Sequence, residues 1–347
     1  MDSLGFLEVH AVDHCNHNCR WCHNYSPFSP KKEYEAKDYF EGLDVLQKNK
    51  VIPQVISIMG GEPFLHSNLT KFAFHLFERY RKRLMITTNG FWLSIEAVKA
   101  YDTLWKMISV LKVSRYPTIE KRLGGAEEEK KVVDFIKKTY PHLHVMFPQK
   151  AIFNKLEFFE KPVEVKRYCG NSSCIALLPN MKMARCGAGA YAHLAPEGVL
   201  PEGFKKCTQM FYDLQNFKPS SFKLWYNLYP LEACSYCSFS ENDIQVSWKV
   251  EKGRTPFNDD YDFEYFCNLG KAMIIQNNIP AAKQQIRYLF ERFGEKAEIS
   301  VLAGIASINS GNLQEGLSSF AEALELDSDN AEARKFLHQV REQVVQK

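Results

Sequence analysis

The stretch HAVDHCNHNCRWC, residues 10–22, sets Cys15, Cys19 and Cys22 in a C-x3-C-x2-C array directly behind a short apolar run, Phe6 to Val12, that reads as a strand. Three thiolates on one short loop can grip three corners of a cubane iron–sulfur cluster and leave the fourth iron without a protein ligand. An iron with an open position can bind a small chelating molecule, so the spacing suits a catalytic cluster better than a saturated electron carrier. The alternative is structural zinc, which needs four closed ligands; His14, His17 or His23 would then supply the fourth.

Beyond this loop, further β-rich runs (Val55 to Met59, Leu84 to Thr88, Ile108 to Ser114, His144 to Phe147) alternate with helical stretches at Tyr34 to Asn49, Leu69 to Arg83, Ile95 to Trp105 and Glu127 to Thr139. Parallel neighbours need long crossovers, so this order predicts a parallel sheet with helices outside, an α/β barrel or an open part of one. Such barrels carry their functional groups at the carboxyl ends of strands. Met59-Gly60-Gly61-Glu62-Pro63 ends the second strand and Thr87-Thr88-Asn89-Gly90 the third. The glycines are expected to let backbone approach a ligand, and Glu62 and Asn89 to meet an amino group and a carboxylate or ribose.

The alternation stops near Lys161. A segment rich in cysteine, aromatics and proline runs to about Trp248, with a hairpin expected at Ile175 to Leu178 and Met183 to Cys186 around Pro179 and Asn180. Cys169, Cys174, Cys186, Cys234 and Cys237 offer two ligands beside the hairpin and two from a C-x2-C, enough for a four-thiolate site of zinc or iron and sulfur. From Phe263 the chain turns helical, and Leu269, Gly270, Ala282 and Leu289 recur as Ala303, Gly304, Gly316 and Ala323, a shift of 34 residues.

Composition sets the outer limits. The 347 residues, 45% apolar and 24% charged, make two or three packed units rather than a disordered chain. A net charge of +3 leaves no nucleic-acid footprint. No apolar run of about 18 residues is present, and Met1 to His10 lacks the pattern of a signal peptide, so a cytoplasmic protein without a membrane partner is expected. In that compartment ten cysteines point to metal or redox chemistry.

The cysteine loop, Trp21 before its third cysteine, the GGEP stretch at Gly60 to Pro63 and the TTNG stretch together resemble the radical S-adenosylmethionine (SAM) superfamily over about residues 4 to 150. The resemblance implies a partial (β/α)6 barrel over residues 1–160 and a [4Fe-4S] cluster on Cys15, Cys19 and Cys22 that binds SAM. It further implies reductive cleavage to a 5′-deoxyadenosyl radical, and a cofactor pocket of Trp21, Gly60, Gly61, Glu62, Thr88, Asn89, Ser114 and Arg115. An electron donor such as flavodoxin or ferredoxin goes with that chemistry. Residues 161–255 resemble the auxiliary-cluster domains called SPASM and their shorter twitch form. The cysteine count allows one auxiliary [4Fe-4S] cluster on four of the five; spacing before the turn favours Cys169, Cys186, Cys234 and Cys237, with Cys174 the alternative. Met181 stands where the hairpin motif usually has glycine, and Gly187 where some peptide-modifying relatives have a carboxylate. Residues 263–347 resemble tetratricopeptide repeats with a capping helix, where a partner protein could dock; Gly316 departs from the usual alanine.

Radical chemistry beside one auxiliary cluster implies oxidation or epimerisation of a sugar or cyclitol, as in single-cluster relatives that include a dehydrogenase of an aminocyclitol alcohol. The rival is a maturase of a ribosomally made peptide, recruited by the repeats. Arg115 and Tyr116, at the barrel rim, are the weak candidates for catalytic contacts to substrate; for Arg115 a plain ion pair is the competing role.

Overall fold

The computed structural model describes residues 4–117, 124–240, 244–255 and 259–345. Two compact units emerge, Met1–Leu93 with Thr103–Asn258, and Ser94–Asp102 with Asp259–Lys347. The expected division near residue 160 falls inside the first.

In the first unit β1 (Leu4–Val12), β2 (Pro53–Gly60), β3 (Arg83–Thr88), β4 (Ile108–Val113) and β5 (His144–Met146) lie side by side, each neighbouring pair parallel. Leu7, Val9, Ile56, Ile58, Leu84, Ile86 and Leu111 in these strands are fully buried, as strands covered on both faces require. Helix Leu69–Tyr80 shows how a crossover is specified. The Asn68 side chain caps its start by accepting from the Lys71 amide, Arg81 at φ 48° ends it, and Leu69, Phe72, Ala73, Leu76 and Tyr80 form its buried stripe. The stretch expected as one helix from Ile95 divides at Tyr101 into Ile95–Ala100 and Asp102–Met107.

The other edge of β1 takes β7 (Ile175–Leu178) in parallel, followed by antiparallel β8 (Lys182–Arg185) and β9 (Phe211–Asp213). The cysteine-rich segment thus continues the sheet in the order β5-β4-β3-β2-β1-β7-β8-β9. Met181 does adopt the left-handed backbone usual for glycine, at φ 61°. That conformation costs about 1–2 kcal/mol for a residue with a Cβ, offset in part by the hydrogen bond its carbonyl accepts from Leu214 N at 2.9 Å.

Six strands, β5-β4-β3-β2-β1-β7, are mutually parallel, but they are not six consecutive strands of the chain. Five stand consecutively among the described residues, and β6 (Ile152–Asn154) leaves the sheet to pair antiparallel with β10 (Gln245–Ser247). The link from β5 to β6 is shorter than the dozen or so residues that a parallel crossover needs.

The second unit holds helices Asp259–Ile275, Ile279–Phe293, Ala297–Asn309, Leu313–Leu326 and Ala331–Val345 besides Ile95–Ala100. Asn278 and Asn312, equivalent under the 34-residue shift, cap the second helix of each pair in the same way. A Cβ on Gly304 would stand 2.5 Å from the Phe320 ring and one on Gly316 2.6 Å from Ile308. The alanine usual at 316 would require the Ile308 side chain to shift. A groove of about 290 Å³ on this unit is lined by Lys283, Arg287, Phe290, Lys296 and Ile299. Among the described residues no helix is long and apolar enough to cross a membrane.

Candidate active site

The end of β2 lies against the start of the cysteine loop: Gly61 N donates to Val12 O at 2.9 Å and Glu62 N to His14 O at 3.1 Å. A Cβ on Gly60 would be 1.9 Å from Val12 O, and one on Gly61 1.7 Å from His14 O. The close approach that demands glycine is thus between two backbone segments, where a ligand was expected. Both glycines still line a cavity of about 400 Å³ together with Cys15, Cys19, Cys22 and Trp21.

Glu62 is fully buried and does not line that cavity. Its Oε1 accepts from Thr88 Oγ1 at 2.7 Å and Phe64 N at 3.1 Å, and its Oε2 from Asn89 N at 2.7 Å. Burial pushes its carboxyl up to about 7 against the pull of these donors. Glu62 therefore braces the ends of β2 and β3 under the cavity floor. The Thr88 hydroxyl also accepts from Trp92 Nε1 at 2.8 Å. Asn89 Nδ2 donates to Asn16 Oδ1 at 2.8 Å and stands 3.8 Å from Cys15 Sγ. Ser114, on the cavity wall, donates its N–H to Thr88 O at 2.8 Å.

Besides Asn89, backbone and side-chain donors reach the sulfurs of the loop. His17 N lies 3.3 Å from Cys15 Sγ, and Trp248 Nε1 lies 3.1 Å from Cys19 Sγ. The Trp248 segment straps the loop, Arg20 N donating to Lys249 O at 2.9 Å. No sequence motif marked Trp248. Burial raises the Cys15 and Cys22 thiols and pushes Cys19 to about 12, so thiolates here call for a positive centre beside them.

Cys169, Cys186, Cys234 and Cys237 meet around a second, small void of about 30 Å³ walled by Leu156, Phe204, Met210, Leu231 and Phe239. Cys174 instead lines the large cavity. Burial pushes Cys186 and Cys237 to about 12. Cys186 sits at φ 70°, and a Cβ on Gly187 would lie 3.0 Å from Asn24 Oδ1, so a carboxylate at 187 would press on Asn24. His23 and Asn171 line both spaces. Among the described residues no three His, Cys, Asp or Glu side chains stand at single-ion spacing. The fit to iron–sulfur clusters rests instead on the donors: two groups of sheltered thiols, both with N–H groups near sulfur. Cys207, bonded to Gly203 O, and Cys267 are buried apart from both.

The remaining cavity wall carries charges that sequence reasoning passed over, including Glu8, Lys112 and Lys150. Glu8 and Lys112 interrupt otherwise apolar strands, and that was the available signal. Glu8 Oε1 accepts from Tyr191 OH at 3.2 Å and lies 3.4 Å from His10 Nε2; His10 Nδ1 lies 2.9 Å from Asp13 Oδ1. Burial opposes charge on His10, but its bonds to Asp13 and Glu8 outweigh it and hold the imidazole above its usual range. Tyr116 lines the cavity and meets His17 edge-on at 5.2 Å, while the Arg115 side chain turns to Glu129, Nε to Oε2 at 3.0 Å.

Residues 10–146, which hold strands β2 to β5, the glycine-braced loop and the cysteine triad, match the Radical SAM superfamily. The GTP 3′,8-cyclase of Aliarcobacter butzleri is 30% identical over 144 residues, 37% of this chain and 44% of that protein. The putative peptide biosynthesis protein YydG of Bacillus subtilis is 35% identical over 98 residues, 27% of this chain and 30% of that one. The chain thus spans less than half the length of these curated relatives. The structure of BtrN with AdoMet and 2-DOIA aligns at 19% identity and a TM-score of 0.44, covering 67% of this chain and 92% of that one.

Proposed function

We propose that this radical SAM chain abstracts hydrogen from a carbon bearing a hydroxyl or amine on a small polar ring, a sugar or cyclitol, with oxidation favoured over epimerisation. The carrying observation is one cavity walled by Cys15, Cys19 and Cys22 and sharing His23 and Asn171 with the four-cysteine void. When bound, a [4Fe-4S] cluster on the first set supplies a 5′-deoxyadenosyl radical from SAM, and a cluster on Cys169, Cys186, Cys234 and Cys237 supplies a second one-electron centre. The brace of Glu62, Thr88 and Asn89 fixes the cavity floor, while Trp248 holds Cys19. Oxidation of a hydroxyl-bearing carbon releases a proton, and Glu8, in the wall and backed by His10, is the acceptor. A flavodoxin or ferredoxin supplies electrons, and a partner protein fits the groove of the helical unit.

Glu8→Gln should lower product formation about 10²-fold, the usual scale for losing a general base, with Glu8→Asp partly restoring it; equal rates in Gln and wild type would remove Glu8 from the mechanism. Cys186→Ala should cost the reconstituted protein about half its iron, whereas Cys174→Ala should keep it. Iron analysis in which Cys174→Ala loses as much would reassign the second set. Substrate class is decided by deuterium transfer into 5′-deoxyadenosine from labelled sugars, cyclitols and peptides. Label arriving from a peptide residue alone would support a maturase instead.

A further inference from the structure

Lys112 and Lys150 stand on the same side of the cavity. Lys112, on β4, pairs with Met146 of β5, and beyond β5 the chain returns to the β4 end, where Arg115 bridges Gln149 and Lys150 N donates to Arg115 O at 2.9 Å. Neither side chain makes a hydrogen bond or ion pair with another described residue. Burial, and then the neighbouring Lys112 charge, lower the Lys150 ammonium below its usual range. Two cations without a partner among the described residues, held together in a half-buried wall, repel and lose hydration, a cost that an anion between them would offset. Lys112 and Lys150 line this cavity together with His23 and Cys174. His23 and Cys174 border the side of the cavity nearest the four-cysteine void. The nearest acid in this wall, Glu8, is engaged by Tyr191 and His10.

We infer that Lys112 and Lys150 form an oxyanion subsite, so that the substrate ring carries a phosphate or carboxylate. The inference rests on the cavity being the substrate chamber. The test titrates reconstituted holoenzyme, with SAM bound, calorimetrically with pyrophosphate, glucose 6-phosphate, glucuronate and glucose. At least one anion should bind 10-fold or more tighter than glucose, and the better of phosphate and carboxylate names the group. Lys112→Gln and Lys150→Gln should each weaken that anion by about 10-fold, with Lys150→Arg retaining most of the affinity. No anion binding, glucose binding equally well, or Gln variants without effect would overturn the subsite. So would Gln variants that weaken SAM itself, read from the SAM-induced change in the cluster's electron paramagnetic resonance, because the lysines would then hold the methionine carboxylate. Failure of the functional reading is a separate result: reduced wild-type enzyme that forms no 5′-deoxyadenosine.

Discussion

Changing Cys15, Cys19 and Cys22 together to alanine is expected to remove about half of the iron that anaerobically reconstituted protein holds and to abolish 5′-deoxyadenosine formation. The three thiols share one loop and one cavity wall, whereas the other four meet around a separate, apolar void. The remaining iron should therefore be spectroscopically normal. The loop should also keep its place, since its backbone is held from both sides, by Gly61 and Glu62 of the β2 end and by the strap at Lys249. Iron analysis and electron paramagnetic resonance of the variant decide the matter. Stoichiometric zinc without iron in the reconstituted wild type would sink both cluster assignments, and loss of all iron from the triple variant would sink their independence.

What could be read ahead of the structure followed the range of the interactions involved. β1 to β4 announced themselves because each is a local apolar run with a long crossover behind it, and the cysteine triad because its ligands sit within eight residues, Cys15 to Cys22. The course of β6 was not legible: its partner, Gln245–Ser247, is remote in sequence and carries no motif. Trp248 escaped for the same reason, since an indole N–H on Cys19 Sγ is a contact across 229 positions. The glycines of the GGEP stretch were noticed, but the close approach of the Val12 to His14 backbone that also requires them was not. Spacing alone left Cys174 as an alternative to Cys169, because both precede the hairpin within six residues of each other. The charges Glu8 and Lys112 were legible in principle, as breaks in apolar strands, and went unused.

Glu62→Ala is expected to impair SAM binding and cleavage about 10- to 100-fold without touching the cofactor, and to leave the iron in place. Its carboxylate satisfies the buried amides of Asn89 and Phe64 and the Thr88 hydroxyl. Truncation orphans these donors at about 1–3 kcal/mol each, and for a unit of this size each kcal/mol lowers the melting temperature by about 2–4 °C. A fall of roughly 5–20 °C should accompany the loss of cleavage, whereas a residue that merely contacted the cofactor would cost activity alone. Glu62→Gln refines the test through pH. Burial raises the folded-state carboxyl to about 7, above its ordinary 4.5. The folded protein thus holds the proton more tightly than the unfolded chain, and this contribution to stability is complete below the ordinary value and lost as pH rises through about 7. Wild type should lose stability relative to Glu62→Gln between pH 5 and about 8. A melting-temperature difference that stays flat across this range would show the carboxylate to be ionised throughout, with its three donors outweighing burial, and a Glu62→Ala protein as heat-stable as wild type would remove the brace from the account altogether.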